Sequence, residues 1–108
     1  MTTKKTKNYK AHLLKELQDP EEAAAYLDAC LEDDDIHVFL LALKDVAEAR
    51  GGMSKLANNS SLSRQSLYRT LSNTGNPKLS SVFSILSSLG LEVHITSPVK
   101  RTSLRNTG

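Results

Sequence analysis

Residues 52–72 read GMSKLANNSSLSRQSLYRTLS, and this stretch decides the fold. Its first part predicts a helix of about two turns in which Ala57 points inward. Ser63 is a good N-cap for a second short helix, and Leu62 and Leu67 then occupy the positions of a hydrophobic staple. Two short helices joined by a tight turn, with a small residue inside the first, are typical of a helix-turn-helix.

The second helix has an outer face suited to DNA. If Leu67 and Leu71 define its inward direction, Arg69 points almost directly away, and Gln65 lies within the same outward arc. Glutamine can pair with adenine and arginine with guanine through two hydrogen bonds each. An ordinary solvated helix that carries two arginines is the alternative. We predict that eight residues contact DNA: Ser63, Arg64, Gln65, Ser66, Tyr68, Arg69, Lys55 and Lys78.

Charge is divided unevenly along the 108 residues, although the net charge is only +2. Residues 19–49 contain ten acidic side chains and a single basic one, Lys44. Residues 50–91 contain no acidic side chain. A chain with an acidic part and a basic part suggests two different partners, and the acid-free segment favours a polyanion.

Capping residues predict the remaining helices. A short apolar stripe predicts a brief helix over residues 10–18. Asp19 followed by Pro20 is a typical helix start, and Asp35 is placed to cap the next helix. Ser80 is the predicted cap of the last helix. Residues 91–95, LEVHI, alternate apolar and polar side chains and predict one short strand. Either this strand or the stripe of serines at 81, 84 and 88 is the candidate dimer interface, and the unpaired edge of the strand favours the first.

Several classes of function are not supported by the composition. The single cysteine, Cys30, is interpreted as a core residue, and no metal or cofactor site is predicted. Serines are plentiful, but nothing ties one to a histidine as a hydrolase requires, so we expect no enzyme. No apolar run approaches the roughly 20 residues that span a bilayer, and no secretory signal follows the basic N-terminus. We therefore expect a cytoplasmic protein with no membrane partner.

The chain from residue 9 to residue 95 resembles the addiction-module antidote family of HigA-like antitoxins, which have a lambda-repressor-like helix-turn-helix. The similarity lies in DPEEAAAYL, ALKDVAEARGGMSKLA, SLSRQSLYRTLS, GNP and ILSSLGLEV, in this order. The matching motif positions are Ala57, Leu62, Ser63, Arg64, Leu67, Tyr68, Leu71, Gly75 and Pro77. Ser61 departs from the pattern, since glycine is usual at that turn position. Serine there implies a turn that is either strained or differently shaped.

The resemblance implies an all-α fold: a five-helix bundle of lambda-repressor-like helix-turn-helix type with one short C-terminal strand. We expect one domain over residues 9–96, with the motif at about 52–72. Residues 1–8 and 97–108 are predicted to be flexible basic ends.

The resemblance also implies an antitoxin. Such a protein binds and neutralises a cognate RelE/HigB-type toxin and represses its own promoter. Its partners would be double-stranded operator DNA and the toxin. We expect a homodimer because a single small DNA-binding domain contacts few base pairs. Two alternatives stay open at this stage: a free-standing or phage-type repressor without a toxin, and a protein-binding adaptor.

Overall fold

A computed structural model describes residues 2–72, 74 and 76–97, with side chains from residue 8 onwards. The described part is all-helical. Its six helices are α1 (Thr2–Glu16), α2 (Pro20–Cys30), α3 (Ile36–Ala49), α4 (Gly52–Asn59), α5 (Arg64–Thr70) and α6 (Leu79–Ser88). The predicted count of five was therefore too low. Helix α1 also covers residues 2–8, which the sequence placed in a flexible N-terminus.

Three of the predicted helix starts are confirmed by their hydrogen bonds. The Asp19 side chain accepts from the Glu21 N–H, Asp35 from the His37 N–H and Ser63 from the Ser66 N–H. Each cap satisfies a backbone donor that has no partner within its own helix.

The fourth predicted cap is wrong. Helix α6 begins at Leu79, and its N-cap is Lys78, which makes no side-chain capping bond. Ser80 therefore lies inside the first turn of α6.

Helix α3 is the centre of the core. It packs against α1, α2 and α4, and α4 in turn packs against α5 and α6. Six α3 side chains are buried: Phe39, Leu40, Ala42, Leu43, Val46 and Ala47. Leu67 and Leu71 of the α5 segment are fully buried in the same cluster as Leu56 of α4. Burial of this kind supplies most of the stability of short helices, since their intrinsic propensity is marginal.

A polar cluster joins the first two helices to α3. The Tyr26 hydroxyl donates to Asp45 Oδ2 at 3.0 Å, and Lys10 Nζ lies 3.3 Å from Asp45 Oδ1 and 3.5 Å from Glu48 Oε1. Partial burial and the Asp45 carboxylate raise the pKa of Tyr26, because both disfavour the ionised phenolate. Partial burial of Lys10 opposes its charge, but the two carboxylates outweigh this and raise its pKa. The cluster joins α1 and α2 to the side of α3 that carries Asp45 and Glu48.

The predicted strand at residues 91–95 is wrong. Residues 91–95 have no regular secondary structure and no strand partner in the described part of the chain. Leu91 packs against the core, but Val93 and Ile95 are 51% and 94% exposed. A lone extended segment has no neighbouring backbone to complete a ladder, so the alternating pattern does not form a strand within one chain.

Two large apolar side chains at helical spacing with buried neighbours lie at the surface themselves. Leu31, at the end of α2, is 53% exposed, and Phe83 of α6 is 47% exposed. Both face a groove described below. Cys30 packs against the core as predicted and is partly buried, and burial raises the pKa of its thiol.

Candidate nucleic-acid interface

The turn between α4 and α5 places the exposed face of α5. Among the described residues no side-chain-bearing residue has a positive φ, so Ser61 is not in the left-handed region. The turn is instead built from extended backbone at Ser60 (φ −117°, ψ 176°), whose hydroxyl accepts from the Leu62 N–H at 3.2 Å. The departure from glycine therefore gives a turn of different shape and no backbone strain at this position.

Gly51 fixes the other end of α4. It has φ +116° and links α3 to α4. A Cβ atom at this position would collide with the side chain of Lys55. The left-handed turn and the close approach of Lys55 both favour glycine here.

Helix α5 separates a buried side from an exposed side. Leu67 and Leu71 are 0% exposed, whereas Gln65 and Arg69 are exposed one turn apart. Neither polar side chain makes a hydrogen bond or an ion pair within the described part of the chain. Their donors and acceptors are therefore available to an external ligand.

The other predicted contact residues surround this pair. Ser63 caps α5 and accepts from Ser66 N–H at 3.1 Å, so its oxygen already has a structural role. The Arg64 guanidinium lies 5.9 Å from the centroid of the Tyr68 ring, and Tyr68 is 46% exposed. We call the exposed set Arg64, Gln65, Tyr68 and Arg69 the α5 surface.

Two predicted residues lie on other helices. Lys55 is exposed on α4, and Lys78 is exposed at the start of α6. No hydrogen bond or ion pair joins either lysine to the α5 surface in the part of the chain that the structure describes. The structure therefore places six of the eight predicted residues on α5 or its cap and two outside it.

The structure adds one cation that the sequence analysis missed. Lys44 of α3 extends its ammonium group to 5.8 Å from the centroid of the Tyr68 ring. In the sequence Lys44 is the one basic residue among ten acidic residues, so the charge pattern places it in the acidic part of the chain. Only the packing of the helices brings it beside α5.

Lys55 also borders a second polar surface. With Arg50, Asn59 and Ser88 it lines a hollow of about 250 Å³ between α4 and the end of α6. Ser88 donates its hydroxyl to the Asn59 carbonyl at 3.0 Å and, in its alternative direction, to the Ser84 carbonyl at 2.8 Å. Ser88, one of the three serines considered for a dimer interface, thus contacts α4 of its own chain.

Comparison with known proteins identifies the class. A family model described as "Probable addiction module antidote protein" matches residues 6–97. The chain therefore belongs to the addiction-module antidote family. It is also 39% identical over 79 residues to a protein of Haemophilus influenzae that is described only as an uncharacterized protein, and the match covers 73% of this chain and 80% of that protein. No solved structure gives a significant match.

No helix in the described residues is both long enough and apolar enough to cross a membrane. The described residues also contain no group of three or more His, Cys, Asp or Glu side chains arranged to hold a metal ion.

Proposed function

We propose that this protein is a HigA-like antitoxin that neutralises a cognate RelE/HigB-type toxin and represses its own promoter. In this proposal α4 and α5 form a lambda-repressor-like helix-turn-helix, and α5 enters the major groove of operator DNA. Membership of the antidote family supports a toxin partner and favours this function over a free-standing repressor. The protein acts by binding and carries out no reaction of its own.

One observation carries the DNA-binding part. Gln65 and Arg69 are exposed on the side of α5 opposite two fully buried leucines, within a segment that lacks acidic residues. A duplex can approach such a face without electrostatic repulsion, and both side chains have the geometry for paired hydrogen bonds to bases.

Individual residues then have different tasks. Gln65 and Arg69 contact the edges of the bases. Tyr68 holds cations over its ring. Arg64 and Ser66 lie at the N-terminal end of α5. Lys55 and Lys78 contact phosphates on either side and add affinity without sequence preference. The neutralising contact lies on the acidic helices, so that one chain carries two separate binding surfaces.

The test is a double variant, Gln65→Ala with Arg69→Ala, measured in two assays. The first is binding to the promoter DNA upstream of the protein's own gene, compared with random DNA. The second is rescue of growth when the module's toxin is expressed. Each paired hydrogen-bonding contact to a base is worth about 1–3 kcal/mol, so we expect the preference for operator to disappear while rescue persists.

A matched control removes one cationic side chain and one amide elsewhere. Lys15→Ala with Gln18→Ala changes a cation and an amide that are exposed near the end of α1. This control should keep both activities. Full operator binding by the α5 variant would refute the reading role of α5, and joint loss of both activities in a folded variant would refute the separation of the two surfaces.

A further inference from the structure

A large apolar groove lies between the acidic helices and the C-terminal part of the domain. Helices α2 and α3 form one wall, and α6 with residues 91–94 forms the other, around a volume of about 830 Å³. Leu27, Leu40 and Leu86 line its buried floor. None of the eight predicted DNA-contacting residues lines it. The groove is therefore a surface separate from the one proposed for DNA.

The upper walls of the groove expose large apolar side chains. Leu31 is 53% exposed, Ile36 52%, Leu79 68%, Phe83 47% and Val93 51%, and all five line the same groove. Single exposed apolar residues are ordinary on a protein surface. A contiguous set of this size, with polar residues around it, marks a site that binds a partner.

The rim of the groove is acidic. Asp28 and Glu92 are exposed lining residues on opposite walls. The acidic run at 32–35 connects the lining residues Leu31 and Ile36, and its last carboxylate, Asp35, contacts the lining residue His37. Among the residues that the structure describes, no lysine or arginine lines the groove, and Lys78, adjacent in sequence to Leu79, is a neighbouring basic side chain.

Two histidines in the lining are already associated with rim carboxylates. His37 Nδ1 lies 2.9 Å from Asp35 Oδ1, and His94 Nε2 lies 3.0 Å from Glu92 Oε1. Asp28 has no such neighbour in the described part of the chain and presents its charge directly.

We propose that this groove receives an apolar segment of the cognate toxin that is flanked by lysine or arginine side chains. The proposal rests on the proposed antitoxin function and names the surface that performs it. A toxin that acts on RNA needs a basic surface, and the acidic rim complements that charge. The apolar floor of the groove buries the apolar side chains of the toxin segment. The acidic rim orients that segment and speeds its association.

The same charges disfavour other occupants. Nucleic acid and anionic membranes would be repelled by the rim. A second copy that met this groove face to face would bring acidic rims of the same sign together, which opposes association. A protein segment with apolar side chains and flanking basic side chains matches both the apolar floor and the acidic rim of the groove.

The experiment compares double variants that add lysine in the groove or elsewhere. Leu31→Lys with Phe83→Lys changes the two walls at positions that are already half exposed. Leu41→Lys with Tyr9→Lys likewise replaces a leucine and an aromatic residue by lysine, at exposed positions outside the groove where the wild-type residues are 42% and 66% exposed. Circular dichroism and thermal unfolding establish that both variants are folded.

Binding is measured by calorimetry against a catalytically inactive form of the toxin of the same module. We expect the groove variant to bind at least tenfold more weakly and the control to remain within about threefold of wild type. Operator binding should be unchanged in both variants. The charge sign gives an independent test: Leu31→Glu should weaken toxin binding less than Leu31→Lys, since both remove apolar surface but only lysine repels a basic partner.

Failure of this proposal differs from failure of the proposed function. If wild-type protein does not bind the toxin, the antitoxin function itself is wrong. If wild type binds and the groove variant binds equally well, the toxin contacts another surface and the groove proposal is overturned. Loss of self-association by the groove variant, with toxin affinity retained, would assign the groove to a second copy and also overturn it.

Discussion

Lys44 on α3 places its ammonium group 5.8 Å from the centroid of the Tyr68 ring on α5. Arg64 places its guanidinium 5.9 Å from the centroid of the same ring. Tyr68 therefore connects a cation from the central helix to a cation of the α5 surface. An aromatic ring that attracts both can hold them close together on an exposed face, where their mutual repulsion would otherwise separate them.

Tyr68→Ala should weaken operator binding, whereas Tyr68→Phe should retain it. The ring provides the attraction for both cations, each worth about 0.5–1 kcal/mol at an exposed site, and phenylalanine keeps the ring. Fluorescence anisotropy with labelled promoter DNA measures the difference. Equal weakening in the two variants would show that the hydroxyl, and not the ring, is needed.

Tyr26→Phe should lower the free energy of unfolding by about 1 kcal/mol, because it removes the hydrogen bond to Asp45 and leaves the ring in place. Urea denaturation gives the value. Tyr9→Phe is the matched control, since Tyr9 is 66% exposed and its hydroxyl has no hydrogen bond in the described structure. Similar decreases in both variants would mean that the Tyr26 to Asp45 bond contributes nothing specific.

Asp35 should contribute to the acid sensitivity of the fold. Its carboxylate accepts from the His37 backbone N–H and contacts the His37 ring, and both interactions lower its pKa below the usual 3.8. A lowered folded-state pKa gives stability that is present above the usual value and is lost as the pH falls through the lowered value.

Asp35→Asn should therefore flatten the dependence of stability on pH in the region below pH 3.8, where the wild-type carboxylate takes up its proton. Thermal unfolding over a series of acidic buffers measures this slope. Asp34→Asn, at a neighbouring exposed carboxylate, serves as control and should leave the slope unchanged. The same slope in wild type and Asp35→Asn would contradict the prediction.

We predict a homodimer whose interface contains Ile95. Ile95 is 94% exposed and does not line the groove, so a contact between two copies at this end of the segment would cover its apolar side chain and leave the groove open. Ile95→Asp should shift the protein to monomer in sedimentation at micromolar concentration, whereas Thr96→Asp should not. A dimer would place two α5 helices at half-sites about 34 Å apart. Monomeric wild type, both free and on operator DNA, would rule the dimer out.

Basic residues at the two ends should add affinity for phosphates only. They are Lys4, Lys5, Lys7, Lys100, Arg101 and Arg105, and their side chains lie outside those that the structure describes. Substitution of either set by glutamine should reduce the slope of log affinity against log salt by about 0.9 for each phosphate that the variant no longer neutralises. The ratio of operator to random binding should change little. A collapse of that ratio would show that an end of the chain reads bases.

Local chemistry explains why much of the fold could be predicted. The caps Asp19, Asp35 and Ser63 each bond to a backbone N–H two or three residues away, so the information lies within one turn of chain. The same holds for Gly51 and Gly90, where a helix ends in the left-handed region. The opposition of Gln65 and Arg69 to Leu67 and Leu71 follows from helix geometry alone, and the exposure of the first pair and burial of the second confirm it.

The tertiary structure decided features that depend on distant parts of the chain. Residues 91–95 have the alternation of a strand, but a strand needs a neighbour, and the described chain offers none. Leu31 and Phe83 fit the apolar stripes of their helices, yet both border a groove that no local pattern reveals. Lys44 lies in an acidic stretch of the sequence, but in the folded protein its ammonium group lies over the Tyr68 ring. Helical periodicity and capping act over a few residues and can be read directly, whereas partners, grooves and charge neighbours arise only when the helices pack.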